Sequence, residues 1–254
     1  MSKQHIFITG ASQGIGRALA VRLSEENVIL TLIARNKNKL IEVSKRCSDK
    51  GAIVNIHSAD ICDYTKLQEF ILESDEKQNI DLMILAAGIT STVNDSKFEE
   101  WNLAKNVLET NLISQIAGAN VILPVMQKRR EGHIVFLSSL TVYSPMAYTP
   151  AYCASKSGIK AYAESVRQYF KNDNVHISIT LPGFVKTNMS DQFYRPKPFM
   201  ITAEKAAEII AKGIDKKKAY ISFPFLLDMW LKLQVLFPYK ITDLITKISG
   251  YGRK

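Results

Sequence analysis

Short β-rich runs alternate along this chain with helix-length amphipathic stretches, and that alternation limits the fold more than any other feature. The runs are Gln4 to Thr9, Val28 to Ala34, Ile53 to Ser58, Asp81 to Ala86, His133 to Ser138 and His176 to Leu181. Several are almost continuously apolar, as in Ile80 to Ala87 and Ile134 to Leu137, which suits strands covered on both faces rather than strands with one face in water. Alternation of this kind predicts an α/β fold, a doubly wound parallel sheet of three layers, with a helical extension at the C-terminus. With 254 residues, 46% of them apolar, the chain is expected to form one domain around one large core. Ligands of such sheets gather outside the carboxyl ends of the strands, where Thr9, Ala34, Ala86 and Ser138 fall.

Composition narrows the classes. The three cysteines, Cys47, Cys62 and Cys153, include no C-x-x-C pair, which argues for a reducing compartment and against a structural metal site. Met1 to Ile8 runs straight into the first strand-like segment, without the basic stretch and apolar core of a signal peptide, so a cytoplasmic location is expected. The net charge is +9, and from Arg195 onward twelve Lys or Arg stand against five Asp or Glu. The excess is therefore local, and without an arginine-rich tract interleaved with aromatics it reads as a solvated face rather than a nucleic-acid surface.

The first strand ends in Thr9-Gly10-Ala11-Ser12-Gln13-Gly14-Ile15-Gly16 and is followed by a helical pattern from Arg17 to Glu26. Glycines are needed where a Cβ would block a tight turn or the approach of a pyrophosphate to a helix N-terminus; an ordinary strand-to-helix turn is the plainer alternative. At the end of the second strand stands Arg35, where enzymes favouring NAD usually carry an acid. A guanidinium binds a 2′-phosphate that a carboxylate would repel, so NADP(H) is expected over NAD(H), unless Arg35 is only a solvated surface residue.

Tyr152 and Lys156 open a helical stretch, and a spacing of four puts both on one face. A phenol titrates near 10, and a neighbouring cation favours its ionised form, so the pair is a candidate proton donor and acceptor. Ser139, thirteen residues earlier, lies just past a strand and could hold a substrate oxygen beside Tyr152; Ser138 competes for that role. Asn111 sits inside the helical stretch from Phe98 to Met126, where an amide is a poor filler for an apolar pattern; a structural or kinking role and the holding of a water on a proton path to Lys156 are compatible readings.

Taken together, these residues resemble the short-chain dehydrogenase/reductase family in its form of about 250 residues. The resemblance spans Lys3 to Met189: T-G-x-x-x-G-x-G as Thr9 to Gly16, an acid after the third strand as Asp60, the serine as Ser139, Y-x-x-x-K as Tyr152 and Lys156, and P-G-x-V-x-T as Pro182 to Thr187. It implies a Rossmann-type sheet and a catalytic set of Asn111, Ser139, Tyr152 and Lys156, the lysine also holding the nicotinamide ribose. It implies contact with the dinucleotide from Gly10, Ser12, Gln13, Gly14, Ile15 and Gly16 at the turn, from Arg35, and from Asp60 (at the adenine) with Ile61. Further contacts follow from Ala87 and Gly88, and from Pro182, Gly183, Val185 and Thr187, the last at the nicotinamide carboxamide. It also implies a homo-oligomer. The chain departs from the family in two places: N-N-A-G is here Leu85-Ala86-Ala87-Gly88, and Gln13 stands where many NADP-preferring members have a basic residue, leaving Arg35 to carry the preference.

These expectations divide the chain into a cofactor-binding and catalytic core (1–186), a substrate lid (187–200) and amphipathic C-terminal helices (223–254). The lid mixes Met189, Phe193, Tyr194, Pro196 and Pro198, suggesting an apolar substrate, and a new helical pattern starts at Thr202. In the tail, Leu226, Met229, Trp230, Leu233, Leu236 and Phe237, then Ile241, Leu244, Ile245 and Ile248, recur at helical spacing. Asp228, Lys232 and Pro238 break the run too often for a spanning helix. Three destinations remain for the stripes: the domain itself, a dimer interface, or a membrane surface. The function expected is reduction of a small apolar carbonyl, or oxidation of the alcohol, with NADP(H) and Tyr152. The alternatives are 3-oxoacyl thioester reduction and a non-catalytic nucleotide-sensing or membrane-docked protein.

Overall fold

The computed structural model describes residues 3–93 and 97–252. Met1 and Ser2 ahead of the first strand, and the last two positions of the expected 223–254 tail, lie outside the described residues. The strands are β1 (Gln4–Thr9), β2 (Val28–Ala34), β3 (Ile53–Ser58), β4 (Leu82–Leu85), β5 (Gly132–Leu137), β6 (Val175–Pro182), β7 (Val185–Lys186), β8 (Ile201–Thr202) and β9 (Tyr220–Phe223). Seven form one sheet in the order β3-β2-β1-β4-β5-β6-β9, and β7 pairs with β8 apart from it. Every pairing is parallel. The order reverses between β1 and β4, whose ends meet with Thr9 opposite Leu85, and a crevice opens outside the carboxyl ends at such a reversal.

The apolar runs are continuous because alternate residues enter different layers. Ile6 and Ile8 of β1 pack into one core with Leu82 and Ile84 of β4, and Phe7 packs into the other with Met83 and Leu85. The first core is closed by α1 (Gly14–Arg22) and α2 (Lys37–Ser48), together with a later helix, Ala203–Asp215. The second is closed by α3 (Tyr64–Lys77) and by the helices that follow β4 and β5.

The helical stretch expected from Phe98 to Met126 is not one α-helix. It consists of α4 (Trp101–Leu108), a π-turn over Glu109–Ile113 and α5 (Ser114–Arg129). Next come α6 (Pro150–Tyr169), whose Pro150 sits in the first turn where no N–H is needed, and the short α7 (Asn188–Asp191). The helix Ala203–Asp215 is α8, started by Thr202, whose hydroxyl accepts from Lys205 N–H at 3.1 Å. The tail forms α9 (Phe225–Gln234) and α10 (Tyr239–Ile248). Phe223, expected to begin the tail helices, instead ends β9, a seventh strand that the pattern of apolar runs did not reveal. β9 has only four residues and is defined by pairing with β6, Pro182 opposite Phe223. Among the described residues no helix is long and apolar enough to cross a membrane.

Candidate active site

The turn from β1 into α1 is shaped by close approach. Gly10 has a φ of +68°, and a Cβ there would lie 2.6 Å from Ala87 Cα; a Cβ on Gly16 would lie 2.4 Å from the Gly10 carbonyl oxygen. Neither site tolerates a side chain without moving backbone. At the N-cap of α1, Gln13 makes no side-chain capping hydrogen bond, so the first-turn N–H groups remain available to an anion. Opposite the turn, the backbone of Leu85-Ala86-Ala87-Gly88 is held from β1. Thr9 Oγ1 accepts from Ala86 N–H at 3.1 Å and from Ala87 N–H at 3.3 Å, fastening a segment that carries no asparagine side chain.

This turn forms one wall of a cavity of about 690 Å³ at the carboxyl ends of the strands. Every residue expected at the dinucleotide borders it, from Gly10 to Gly16 through Arg35, Asp60, Ile61, Ala87 and Gly88 to Pro182, Gly183, Val185 and Thr187. At one end the Arg35 guanidinium is exposed and has no partner among the described residues. Lys39, on the first turn of α2, borders the same end, and an adjoining recess of about 220 Å³ brings Arg17, Lys39, Arg46 and Lys186 around a single acid, Glu42. Sequence reasoning missed these cations. The available signal was the seven-residue spacing of Lys39 and Arg46, which puts both on one face of α2.

At the other end lie Ser139, Tyr152 and Lys156. The Lys156 ammonium nitrogen is 5.7 Å from the centre of the Tyr152 ring and donates to the Leu137 carbonyl at 2.8 Å. The two serines divide their work. Ser138 Oγ is buried and donates to the Lys156 carbonyl at 2.7 Å, tying β5 to α6. Ser139 Oγ accepts from Thr141 N–H at 3.2 Å and hydrogen-bonds the Tyr152 phenol. Burial dominates both titrating groups. It pushes the Tyr152 phenol up to about 12 against the weaker opposing effect of the Ser139 bond, and it pulls the Lys156 amine down to about 8. In this arrangement loss of solvent costs each charged form more than the neighbours return.

Asn111 is fully buried in the π-turn and does not border the cavity. Its Nδ2 donates to the Ile89 carbonyl at 2.9 Å and to Ser155 Oγ at 3.1 Å, and its Oδ1 accepts from Ile89 N–H at 2.8 Å. Both donors are used and one acceptor site remains. A Cβ on Gly88 would lie 3.3 Å from Asn111 Oδ1 and 3.6 Å from Lys156 Nζ, so the two groups converge on the same glycine.

Beyond Tyr152 the cavity is walled by Phe184, Phe193, Leu227, Leu231 and Ile245. Phe184, Phe193 and Tyr251 stack with centroid separations of 5.9, 6.2 and 6.3 Å. The chain end is tied across this wall: Ala147 N–H donates to the Tyr251 carbonyl at 3.1 Å, and the Tyr251 hydroxyl to the Pro196 carbonyl at 2.9 Å. Gln234 also borders the cavity; it is 3% exposed, and among the described residues its amide makes no hydrogen bond. It too was missed, although a polar residue between Leu233 and Val235 in an apolar helix was the available clue.

The sequence model of the short chain dehydrogenase family matches residues 4–197. An uncharacterized oxidoreductase of Myxococcus xanthus is 30% identical, covering 96% of both chains. The 3-ketodihydrosphingosine reductase of Bos taurus is 27% identical over 84% of this chain and 67% of its own. Among solved structures, a short-chain dehydrogenase from Sphingobium yanoikuyae in complex with NADPH superposes with a TM-score of 0.81 at 19% identity, covering 96% of this chain and 95% of that one. A variant of actinorhodin polyketide ketoreductase with NADPH gives a TM-score of 0.78 at 20% identity, covering 90% and 99%. With this match to the family and this fold, the chain belongs to the short-chain dehydrogenases and is an oxidoreductase.

Proposed function

We propose that the protein reduces an apolar ketone or aldehyde, or oxidises the matching alcohol, with NADP(H), and that Tyr152 is its general acid and base. The observation that carries this reading is one cavity with Ser139, Tyr152 and Lys156 at one end and a free guanidinium at the other. The glycine turn and the open N–H groups of α1 fit a pyrophosphate. Arg35 and Lys39 would meet a 2′-phosphate, Asp60 the adenine and Thr187 the carboxamide. A dinucleotide bound there supplies or accepts the hydride. The NADPH in two structural neighbours and the ketone in the name of the bovine relative support the same assignment.

The titration directions suit reduction. Burial keeps the Tyr152 phenol protonated, the form that can give a proton to a carbonyl oxygen held by Ser139. Lys156, drawn down to about 8, releases a proton near neutral pH more readily than an ordinary lysine and can recharge the phenol. The remaining Asn111 acceptor would hold a water on the path to that amine. Residues 187–200 form the proposed lid, α7 being started by a reciprocal cap between Thr187 and Ser190.

The test is a coenzyme and substrate comparison in the wild-type protein and Tyr152→Phe. NADPH is expected to outperform NADH across a panel of apolar ketones. The variant should lose about 10²- to 10⁴-fold in turnover while its NADPH affinity stays unchanged. Unchanged turnover would remove Tyr152 from the mechanism, and a preference for NADH would reverse the coenzyme assignment.

A further inference from the structure

Among the described residues, five buried polar side chains border the cavity: Ser138, Ser139, Thr149, Lys156 and Gln234. The protein engages four of them. Ser138 donates to the Lys156 carbonyl, Ser139 meets Thr141 N–H and the Tyr152 phenol, Thr149 Oγ1 lies 3.5 Å from the Cys153 sulfur, and Lys156 donates to the Leu137 carbonyl. The amide of Gln234 has no such partner among the described residues. Its burial also inverts the usual partition at the end of α9. Leu233 is 47% exposed and Val235 59%, whereas Gln234 is 3% exposed, so the apolar neighbours meet solvent and the amide meets the cavity. A ligand that displaces water from that amide has to supply hydrogen bonds in its place.

The surrounding wall defines which ligand can do so. Leu227, Leu231 and Gln234 fall at i, i+4 and i+7, so one face of α9 presents two leucines and this amide to the cavity. Thr246 and Ser249, which also border it, direct their hydroxyl protons to the Thr242 and Ile245 carbonyls at 2.8 and 2.7 Å. The charged side chains bordering the cavity among the described residues are Arg35, Lys39, Asp60 and Lys156. The first three stand at the end proposed for the dinucleotide and the fourth beside Tyr152, so the wall of α9 and α10 offers no counter-charge. A carboxylate or phosphate placed there would shed its water with no cation to replace it. A hydroxyl fits, because it both donates and accepts, and a primary amide offers a carbonyl oxygen and two N–H donors.

We propose that Gln234 reads the substrate, and that this substrate is an uncharged ketone carrying a hydroxyl on an otherwise apolar body. This rests on the carbonyl reduction proposed above and adds a second polar attachment to it. Ser139 and Tyr152 hold the reacting oxygen, Gln234 holds the hydroxyl, and Leu227, Leu231 and the rings of Phe184 and Phe193 cover the carbon skeleton. The amide is carried on a fixed backbone, since Phe237 N–H donates to the Gln234 carbonyl at 3.0 Å. Two polar contacts on one skeleton present the carbonyl to Tyr152 in a single register.

The test is kcat/KM with NADPH for a straight-chain methyl ketone, for the same ketone hydroxylated at successive carbons from the carbonyl, and for a counterpart ending in a carboxylate, in the wild type and in Gln234→Leu. Each preference is a ratio within one protein, so a variant that merely folds less well leaves it unmoved. Wild type is expected to favour the best hydroxylated ketone over the parent by about tenfold and to disfavour the carboxylate. In Gln234→Leu the first ratio should fall to about one, with the parent ketone unchanged. Calorimetric titration of the same ketones in the presence of NADP+, where no hydride is available, reads the preference as binding. A wild type indifferent to the hydroxyl, or a variant that keeps the preference, overturns the role of Gln234, and a carboxylate taken better than the hydroxyl overturns the uncharged class. A Gln234-dependent preference in binding without turnover of any ketone keeps the recognition and locates the failure in the proposed chemistry.

Discussion

Tyr152 and Lys156 share one turn of α6, and burial drives their titrations apart, the phenol up to about 12 and the amine down to about 8. Around pH 8 only the amine changes state. Raising the pH through that value removes the proton that would recharge Tyr152, so kcat for reduction is expected to fall above about pH 8. Lys156→Arg, which stays charged, should show a lower plateau without that fall, and a pH–rate profile of both proteins reads the difference. Gln234 is a second residue-scale case. Its amide faces the cavity without a protein partner, so a ligand that displaces water there must replace that hydration. Gln234→Leu should raise KM by about tenfold for ketones with a hydroxyl or amine near the carbonyl, spare kcat, and leave plain alkyl ketones unaffected.

The π-turn of Glu109–Ile113 is the element that joins the loop after β4 to α6. The extra residue in that turn places Asn111 where one carboxamide satisfies both backbone groups of Ile89 and reaches Ser155. Asn111→Ala would strand the Ile89 N–H and carbonyl in a buried setting, at a cost of about 2–4 kcal/mol. The expected outcome is a lower Tm together with reduced turnover, measured by calorimetry and steady-state kinetics. Asn111→Asp, which retains the acceptor for Ile89 N–H, should recover part of the Tm. That Asn111 is out of place in an apolar helical pattern was legible, and a kink there was one of its readings. The kind of interruption was not, because a π-turn has no spacing signature over five residues.

Across the whole molecule, the parallel sheet buries polar groups that limit its acid stability. His133 of β5 stands opposite His176 of β6, its Nε2 is 2.8 Å from Ser178 Oγ, and burial first, then His176, lowers it to about 4. An unfolded imidazole takes up its proton near 6.5. Between these values the unfolded chain binds more protons, so the contribution of His133 is present at neutral pH and is lost as the pH falls, up to about 3 kcal/mol. Urea melts between neutral pH and about pH 5 should show this loss, and it should be smaller in His133→Gln. The sequence by itself determined six of the seven strands of the main sheet, the glycine turn and the Tyr152–Lys156 pair. Burial of a strand on both faces is written as a continuous apolar run, and a spacing of four on a helix is fixed by local geometry. Only the tertiary structure decided that Ser139 rather than Ser138 meets the phenol, that Tyr220–Phe223 completes the sheet, that Lys39 and Arg46 gather near Arg35, and that Gln234 enters the cavity. The last strand and the cavity wall rest on contacts between segments far apart in the chain, as in Pro182 with Phe223 and Ala147 with Tyr251, and no local periodicity encodes which distant surface a side chain will meet.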